Sequence, residues 1–380
     1  MKGLRRIPET WRLGFLLWLG MRLLLWALSA FLFYSGFISL QSPFPEAPVA
    51  LTSGLPGALF GIWMRWDGGF YYLLLTQGYA ATPSISAFWP LYPLLARPLA
   101  FLGIHPLVAL ILVGNLALLA ALVVFLAEVR DLFGSRYMLP AGLALLVFPG
   151  AFFFYAPFPM SLALLLVLLS YRFARRGKWV AAAVTGLLSG LTHPSILPLA
   201  ILLAVCVIGW LRKAKSRYAW LNLAVPFMPF AGVALFLAWR EAVGLIPYVD
   251  ILKNYWKTSV FNPLASFLQL FQSITSGNPL SILKVLIIVL AAVVVIWLIR
   301  QRRVELAIYQ AGLLLYLVSF TVPDHPMGSF IRYFLLSFPV FMALGVWLQS
   351  RRWWSGLAFF SLAAVNLIFC SMYLSWVFVA

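Results

Sequence analysis

The stretch MRWDGGFYYLLLTQGY, residues 64–79, places one acid among large aromatic residues in a chain of which 9% of the residues are charged. Two glycines follow Asp67 and allow the chain to turn sharply there. The three aromatic residues after them are of the type that lies at a membrane–water interface. This pattern predicts a carboxylate fixed just above the hydrocarbon surface, where it could act as a general base. The alternative is an ordinary Asp-Gly turn beside an aromatic belt.

A second polar cluster lies in VPDHPMGSFIRY, residues 322–333, where two prolines and a glycine predict a loop. Asp324, the second candidate for a base, is followed by His325, and Arg332 begins an apolar run. A guanidinium can donate two parallel hydrogen bonds to a phosphate. We therefore predict a phosphate clamp formed by Arg332 with His325 or with His193 of the segment GLTHPS. The alternatives are a snorkelling arginine at the interface and a helix-end histidine bonded to the backbone.

Long apolar runs must hold these groups in place, because 64% of the 380 residues are hydrophobic and 17% are aromatic. A run of about 20 residues can cross a hydrocarbon core of about 30 Å as a helix. The runs predict an all-α polytopic membrane protein with about 11 transmembrane helices, within a range of about 10 to 13. The predicted crossings are residues 11–37, 106–128, 137–155, 159–174, 179–193, 195–211, 219–239, 280–299, 305–322, 330–349 and 353–377.

The segment AFWPLYPLLARPLAFLGI, residues 87–104, does not fit this layout. It is apolar enough to cross a membrane, but it contains three prolines and Arg97. We predict that it is partly inserted or re-entrant, which is tolerated where other parts of the protein cover its backbone. A full crossing is the alternative, and it would place Arg130 and Arg136 outside.

Basic residues set the predicted orientation, although a net charge of +18 would suggest nucleic acid as a partner of a soluble protein. Nineteen of the 27 Lys and Arg lie in clusters between apolar runs, which is the positive-inside pattern. Segments 38–87 and 240–279 are then outer loops, and the candidate site lies on the extracytoplasmic face of a plasma membrane. The clusters are Lys2, Arg5, Arg6 and Arg12; Arg130 and Arg136; Arg172, Arg175, Arg176 and Lys178; Arg212, Lys213, Lys215 and Arg217; Arg300, Arg302 and Arg303; and Arg351 and Arg352.

No internal repeat or low-complexity linker divides residues 1–380, so a single membrane domain is predicted. Its second outer loop contains GLIPYVDILKNYWKTSVFNP, residues 244–263, in which Asp250, Lys253 and Lys257 recur at helical spacing. This pattern predicts an amphipathic helix that lies on the bilayer and could serve as a lid.

Three motifs resemble those of a known enzyme family. They are Trp66-Asp67 followed by Phe70; Trp89-Pro90-Leu91-Tyr92-Pro93-Leu94-Leu95-Ala96-Arg97; and Arg332-Tyr333 followed by Phe338-Pro339. In this order they resemble motifs of the PIG-V-like mannosyltransferases, the GPI mannosyltransferase II family and its prokaryotic relatives. The resemblance extends with gaps over residues 60–345, and the first two motifs are more specific than the third.

The resemblance implies a GT-C fold, an active site on the outer face, and a polyprenyl-phosphate sugar as donor in an inverting transfer, with Asp67 as the acid of the motif. Met160 stands where the family often has an acid, and His193-Pro194 stands where it often has Arg-Pro. The remaining candidate binding residues lie in or beside the motifs and are Arg65, Trp66, Trp89, Tyr92, Arg97 and Tyr333.

A polytopic transporter or lipid flippase is the alternative function, since it too would have proline-broken helices and a few charges at membrane level. Transporters usually hold coupling charges near the midplane, whereas nearly all acids here lie at the ends of predicted crossings, which favours the enzyme. The predicted partners are the lipid-linked donor, a lipid or glycan acceptor and membrane lipids, with no nucleic acid. No cofactor is evident among nine acids without a dense cluster, although a divalent metal is compatible with the sequence.

Overall fold

The computed structural model describes residues 8–42, 48–213, 218–260, 262–322, 325–349 and 352–379, which are mainly helical. Three short strands, β1 Ser259–Val260, β2 Phe320–Val322 and β3 His325–Pro326, form an antiparallel sheet in the order β1-β2-β3. The α-helices are, in chain order, α1 Glu9–Tyr34, α2 Gly54–Leu59, α3 Asp67–Thr76, α4 Leu91–Phe101, α5 Pro106–Phe133, α6 Met138–Val147, α7 Met160–Arg175, α8 Trp179–Gly190, α9 Leu199–Leu211, α10 Met228–Ala242, α11 Tyr248–Asn254, α12 Pro263–Thr275, α13 Pro279–Arg300, α14 Val304–Leu317, α15 Phe330–Phe334, α16 Phe338–Gln349 and α17 Arg352–Leu374.

Helices occupy every predicted crossing. Six of them in the described residues are long and apolar enough to cross a membrane. The other five predicted crossings contain the shorter helices α6, α7, α8, α14 and α16. The prediction of an all-α polytopic membrane protein is confirmed, with the small sheet as an addition. The six long helical segments are Glu9–Tyr34, Pro106–Phe133, Pro194–Leu211, Ala219–Ala242, Pro279–Arg300 and Ser355–Leu374.

Two of the predicted crossings are interrupted by short breaks that lie against each other. In the first, α6 ends two residues before Pro149, and Gly150 takes a left-handed conformation with a φ of 90°. In the second, α15 is separated from α16, which has Pro339 in its first turn. A Cβ on Gly150 would lie 2.6 Å from Cγ2 of Ile331, so this close approach requires a glycine. Arg332 belongs to α15, directly before the second break, and is buried at 7% exposure.

The segment 87–104 contains α4, a helix of 11 residues with Pro98 inside it. Such a helix is about 16 Å long, which is about half of the hydrocarbon thickness. Leu94 and Leu95 are exposed on its surface, together with Arg97. Phe101, at its end, is 90% exposed. This length and this surface favour the partly inserted interpretation over a full crossing.

The bounds predicted for the amphipathic helix, residues 244–263, are wrong. Only α11 is helical within that range, and Lys257 lies beyond it with a φ of 50°. Proline residues delimit the region, and β1 pairs with β2 instead of continuing a helix. The amphipathic helix of the 240–279 loop is α12, which exposes an apolar stripe at helical spacing. The stripe consists of Leu264, Phe267, Leu268 and Phe271.

Helix α5 lies at the centre of the helical bundle and packs against α1, α4, α6 and α7. At its end Glu128 is 1% exposed and forms ion pairs with Arg172 and Arg175 of α7. Asp131, one turn further, pairs with Arg172 at 3.5 Å. Because unpaired charges are costly to bury, these pairs hold α5 and α7 together at the end predicted to be inside.

Helix α13 offers a test of the predicted orientation, because its 22 residues are about 33 Å long and both flanking turns are exposed. We propose Ser276→Cys and Gln301→Cys, each in a protein whose free Cys206 and Cys370 are replaced by alanine. A membrane-impermeant maleimide added to intact cells should label Ser276→Cys and spare Gln301→Cys, since basic residues surround Gln301. The reverse pattern would contradict the orientation and place the candidate site on the cytoplasmic face.

Candidate active site

Asp67 is the first residue of α3 and follows a strained turn. Trp66 has a φ of 51° and a ψ of −128°, a backbone conformation that residues with bulky side chains rarely adopt. The amide N–H of Gly68 donates to the carbonyl oxygen of Arg65 at 2.9 Å and closes the turn. A Cβ on Gly68 would lie 2.8 Å from Cγ of Pro157, so only glycine lets α3 begin here. The local sequence therefore fixes the position of the acid tightly.

Arg332 lies against Asp67, although the two residues are 265 positions apart in the chain. Its Nη1 donates to Oδ2 of Asp67 at 2.5 Å. Its Nη2 donates to Oγ of Ser329 at 3.0 Å and to the hydroxyl of Tyr333 at 2.9 Å. The side chain of Arg332 is 9% exposed and that of Asp67 is 22% exposed. The result is a largely buried ion pair that solvent reaches from the side of the acid.

Aromatic rings enclose the guanidinium of Arg332. Its Cζ lies 4.8 Å from the ring centroid of Tyr333, 5.2 Å from that of Phe158 and 6.0 Å from that of Phe153. Cations are attracted to the faces of such rings. The carboxylate of Asp67 compensates the positive charge, so the guanidinium can stay charged in its apolar surroundings.

His193 approaches the same group from the turn after α8. Its ring centroid lies 4.4 Å from that of Tyr333. Its Nδ1 accepts a hydrogen bond from the amide N–H of Ser195 at 3.1 Å, so the proton of the neutral ring is on Nε2. His193 can therefore donate a hydrogen bond through Nε2–H to a group bound near Arg332.

This group can perform two chemical tasks. Among the described residues, Oδ1 of Asp67 accepts no hydrogen bond, so it can take a proton while Arg332 holds Oδ2. Nε of Arg332 is buried and has no partner in the described part of the chain. The guanidinium and the Nε2–H of His193 can together stabilise a nearby anion. A base and an anion site thus share one arginine.

Arg65, a predicted binding residue, is held by backbone groups. Its Nε donates to the carbonyl of Leu374 at 2.9 Å, and its Nη2 and Nη1 donate to those of Ser39 at 3.2 Å and Leu40 at 3.4 Å. Its Cζ lies 4.7 Å from the ring centroid of Trp376. Burial lowers the pKa of Arg65 to about 10, so it remains charged at neutral pH. Arg65 therefore anchors the segment before Asp67 to the segments that contain Ser39 and Leu374. A contact between Arg65 and a ligand stays a prediction.

The other aromatic candidates surround the site without contacting the ion pair. Trp89 is 1% exposed, and its Nε1 donates to the hydroxyl of Tyr248 at 3.4 Å. Tyr92 is fully buried, and its hydroxyl donates to the carbonyl of Leu110 at 2.7 Å. Trp89 thus joins the residues before α4 to α11, and Tyr92 joins α4 to α5. Their direct contact with a substrate stays a prediction.

The remaining predicted site residues are not brought to the ion pair by the described structure. Arg97 is exposed on α4 and contacts neither Asp67 nor Arg332. Asp324 lies outside the described residues, and for His325 only the backbone, in β3, is described. Within the described ranges no group of three or more His, Cys, Asp or Glu side chains could hold a metal ion.

Sequence reasoning missed several residues around the site. Ser329, which binds Arg332, has a φ of 62°, and only its spacing of three residues from Arg332 could have indicated it. Trp256 of the segment 240–279 packs against Phe70 at 5.4 Å between ring centroids, and its Nε1 donates to the carbonyl of Ser84 at 3.3 Å. The two segments predicted to be outer loops therefore contact each other, and the function of the second as a lid stays a prediction.

Comparison with known proteins adds little to this picture. No family model matches the chain, and no curated protein matches it. The chain is similar to the crystal structure of the Archaeoglobus fulgidus oligosaccharyltransferase complex with zinc and sulfate, with a TM-score of 0.46 and 13% identity over 94% of this chain and 53% of that one. The chain thus spans about half the length of that protein, and at this score the likeness carries no argument about function.

The ion pair itself can be tested without an activity assay. Asp67→Asn and Arg332→Gln should each lower the thermal unfolding midpoint in detergent, because each leaves a charge or its partner without compensation. The free energy of unfolding lost in the double variant should be smaller than the sum of the losses in the two single variants. The difference, which is the coupling free energy, is about 0.5–3 kcal/mol for groups in contact. The same cycle with Arg130→Gln and Asp131→Asn, whose side chains are 43% and 28% exposed, should give a smaller coupling. Strict additivity of the Asp67 and Arg332 variants would contradict the contact.

Proposed function

We propose that the protein is a membrane glycosyltransferase that moves a sugar from a polyprenyl-phosphate donor to a hydroxyl of a lipid-linked or cell-surface acceptor. The observation that carries this proposal is the ion pair between Asp67 and Arg332. The two residues come from the first and third motifs that resemble those of the PIG-V-like mannosyltransferases. A GT-C architecture and mannose as the sugar belong to the same proposal and are supported by that resemblance.

The buried arginines of the chain support a working role for Asp67. Arg22, Arg65, Arg240 and Arg332 are each at most 7% exposed. In the described structure, the first three donate to backbone carbonyls and lie over aromatic rings. Among these four, only Arg332 has a carboxylate partner in the described residues. Since the fold accommodates buried arginines without acids, an acid beside Arg332 favours chemistry over stability as its reason.

In the proposed reaction, the acceptor oxygen attacks the anomeric carbon of the donor sugar and its proton passes to Oδ1 of Asp67. The bond between that carbon and the phosphate oxygen breaks, and the lipid phosphate leaves with the electron pair. Arg332 stabilises the charge on the leaving phosphate, assisted by hydrogen bonds from the Tyr333 hydroxyl and from Nε2–H of His193. Attack opposite the leaving group inverts the configuration at the anomeric carbon.

The proposed location is the extracytoplasmic face of a plasma membrane. The basic clusters and the ion pairs of Glu128 lie at the opposite ends of the helices from Asp67 in the predicted topology. Purified protein in detergent, given polyprenyl-phosphate mannose and candidate acceptors, should release the lipid phosphate as sugar is transferred. Movement of a lipid or sugar across vesicles without this release would favour the transporter alternative.

Replacing the base should abolish most of this activity. In Asp67→Asn the amide oxygen can still accept from Arg332, but the basic carboxylate is lost, so turnover should fall by about 10²–10⁴-fold. Because Asp67 is ion-paired, the variant should also be somewhat less stable than the wild type. An unpaired acid at the end of a loop would contribute little stability. Glu241→Gln, an exposed acid at the end of α10, is the matched control and should retain wild-type turnover. Turnover of folded Asp67→Asn within a few-fold of wild type would make Asp67 a turn residue and Asp324 the next candidate.

Replacing the clamp should affect use of the donor. Arg332→Lys keeps the charge but loses the planar fork that binds Asp67, Ser329 and Tyr333 together, so the KM for the donor should rise measurably. Arg303→Lys is the matched control, because Arg303 likewise lies over an aromatic ring and donates a hydrogen bond, in its case to the carbonyl of Leu132. Unchanged donor use by Arg332→Lys would return Arg332 to the role of an interfacial snorkelling residue.

A further inference from the structure

The end of α17 packs directly against the turn that carries Asp67. The hydroxyl of Tyr373 donates to the carbonyl of Trp63 at 2.9 Å and to that of Arg65 at 3.3 Å. Arg65 in return donates from Nε to the carbonyl of Leu374 at 2.9 Å. Segments about 310 positions apart are therefore joined by reciprocal hydrogen bonds within four residues of the candidate base.

Two tryptophans with positive φ meet in the same contact. Trp66 has a φ of 51° and Trp376 a φ of 62°, and their ring centroids are 5.9 Å apart in an edge-to-face arrangement. Phe378 packs against the ring of Trp66 at 5.5 Å, and Cζ of Arg65 lies over the ring of Trp376. Strained backbone of this kind persists only where the surroundings impose it. Each tryptophan is thus held in place by a contact that includes the other.

We propose that residues 373–378 are a positioning element for Asp67. They hold Trp66 at its positive φ, and the next residue in the chain is the acid, so they set the direction in which the carboxylate points toward Arg332. This inference rests on the proposed function for its effect on turnover. Tyr373, Trp376 and Phe378 do not contact Arg332 in the described structure, so their role is to position the base and not to bind the phosphate.

The first test is Tyr373→Phe, which removes only the hydroxyl that donates to Trp63 and Arg65. A misplacement of about 1 Å can cost about 100-fold in rate, so kcat should fall by roughly 10- to 100-fold. The KM for the donor should stay within about twofold, because Arg332 and its partners Ser329 and Tyr333 are untouched. Tyr155→Phe is the matched control, since Tyr155 is equally buried and its hydroxyl donates to the carbonyl of Trp18 at 3.2 Å. A loss of kcat no larger than that of the control would overturn the proposal.

A second measurement does not depend on activity. The coupling free energy between Asp67→Asn and Arg332→Gln, taken from unfolding midpoints, should be smaller in the Tyr373→Phe background than in the Tyr155→Phe background. Equal coupling in the two backgrounds would overturn the positioning role even if the protein transferred no sugar. The wild-type protein could fail to transfer sugar while Tyr373→Phe still reduces the coupling free energy between Asp67 and Arg332. That result would overturn the proposed function but support the positioning element.

If Tyr373→Phe does not fold, kcat and the KM for the donor can be measured in Phe378→Leu instead. It removes one of the two rings that hold Trp66 without touching a hydrogen bond of the turn. A several-fold fall in kcat with an unchanged KM for the donor supports the element, and wild-type kcat contradicts it.

Discussion

The ion pair between Asp67 and Arg332 is the constraint around which the rest of the structure is arranged. A guanidinium that is 9% exposed must be compensated, and its hydrogen bonds to Ser329, Tyr333 and Asp67 provide this. To bring these groups together, the chain adopts positive φ at Trp66 and Ser329 and interrupts two apolar runs. Irregular backbone at membrane level is tolerated because helices surround it.

The small number of acids in the chain means that most buried arginines are held by groups other than carboxylates. With nine acids against 27 Lys and Arg, carboxylates can pair with only a minority of the basic residues. Arg65 instead binds three carbonyls from two distant segments, and Arg22 lies 4.5 Å from the ring centroid of Trp26 and donates to the carbonyl of Tyr155 at 3.3 Å. The planar guanidinium suits this use because it donates in several directions and stacks on rings. Arginines thus serve as cross-links between chain segments.

The architecture could be predicted from the sequence because it follows from hydrophobic run length. Each predicted crossing contains a helix, and the meeting of Asp67, His193, Arg332 and Tyr333 at one point follows from the predicted outer face. Contacts that depend on packing could not be predicted. The position of the amphipathic helix was wrong because the pairing of β1 with β2 competes with the helical pattern over 244–263. The anchoring of Arg65 to Leu374 was missed because no local pattern links residues so far apart.

Under the proposed function, one arginine links the two halves of the reaction. Nη1 of Arg332 donates to Oδ2 of Asp67, and the same guanidinium is the group that would bind the donor phosphate. A phosphate held by Arg332 would therefore lie beside the carboxylate, and Oδ1 would remain available to the acceptor hydroxyl. Because the base and the leaving group are positioned by the same side chain, a change in the position of Arg332 would affect both ends of the reaction.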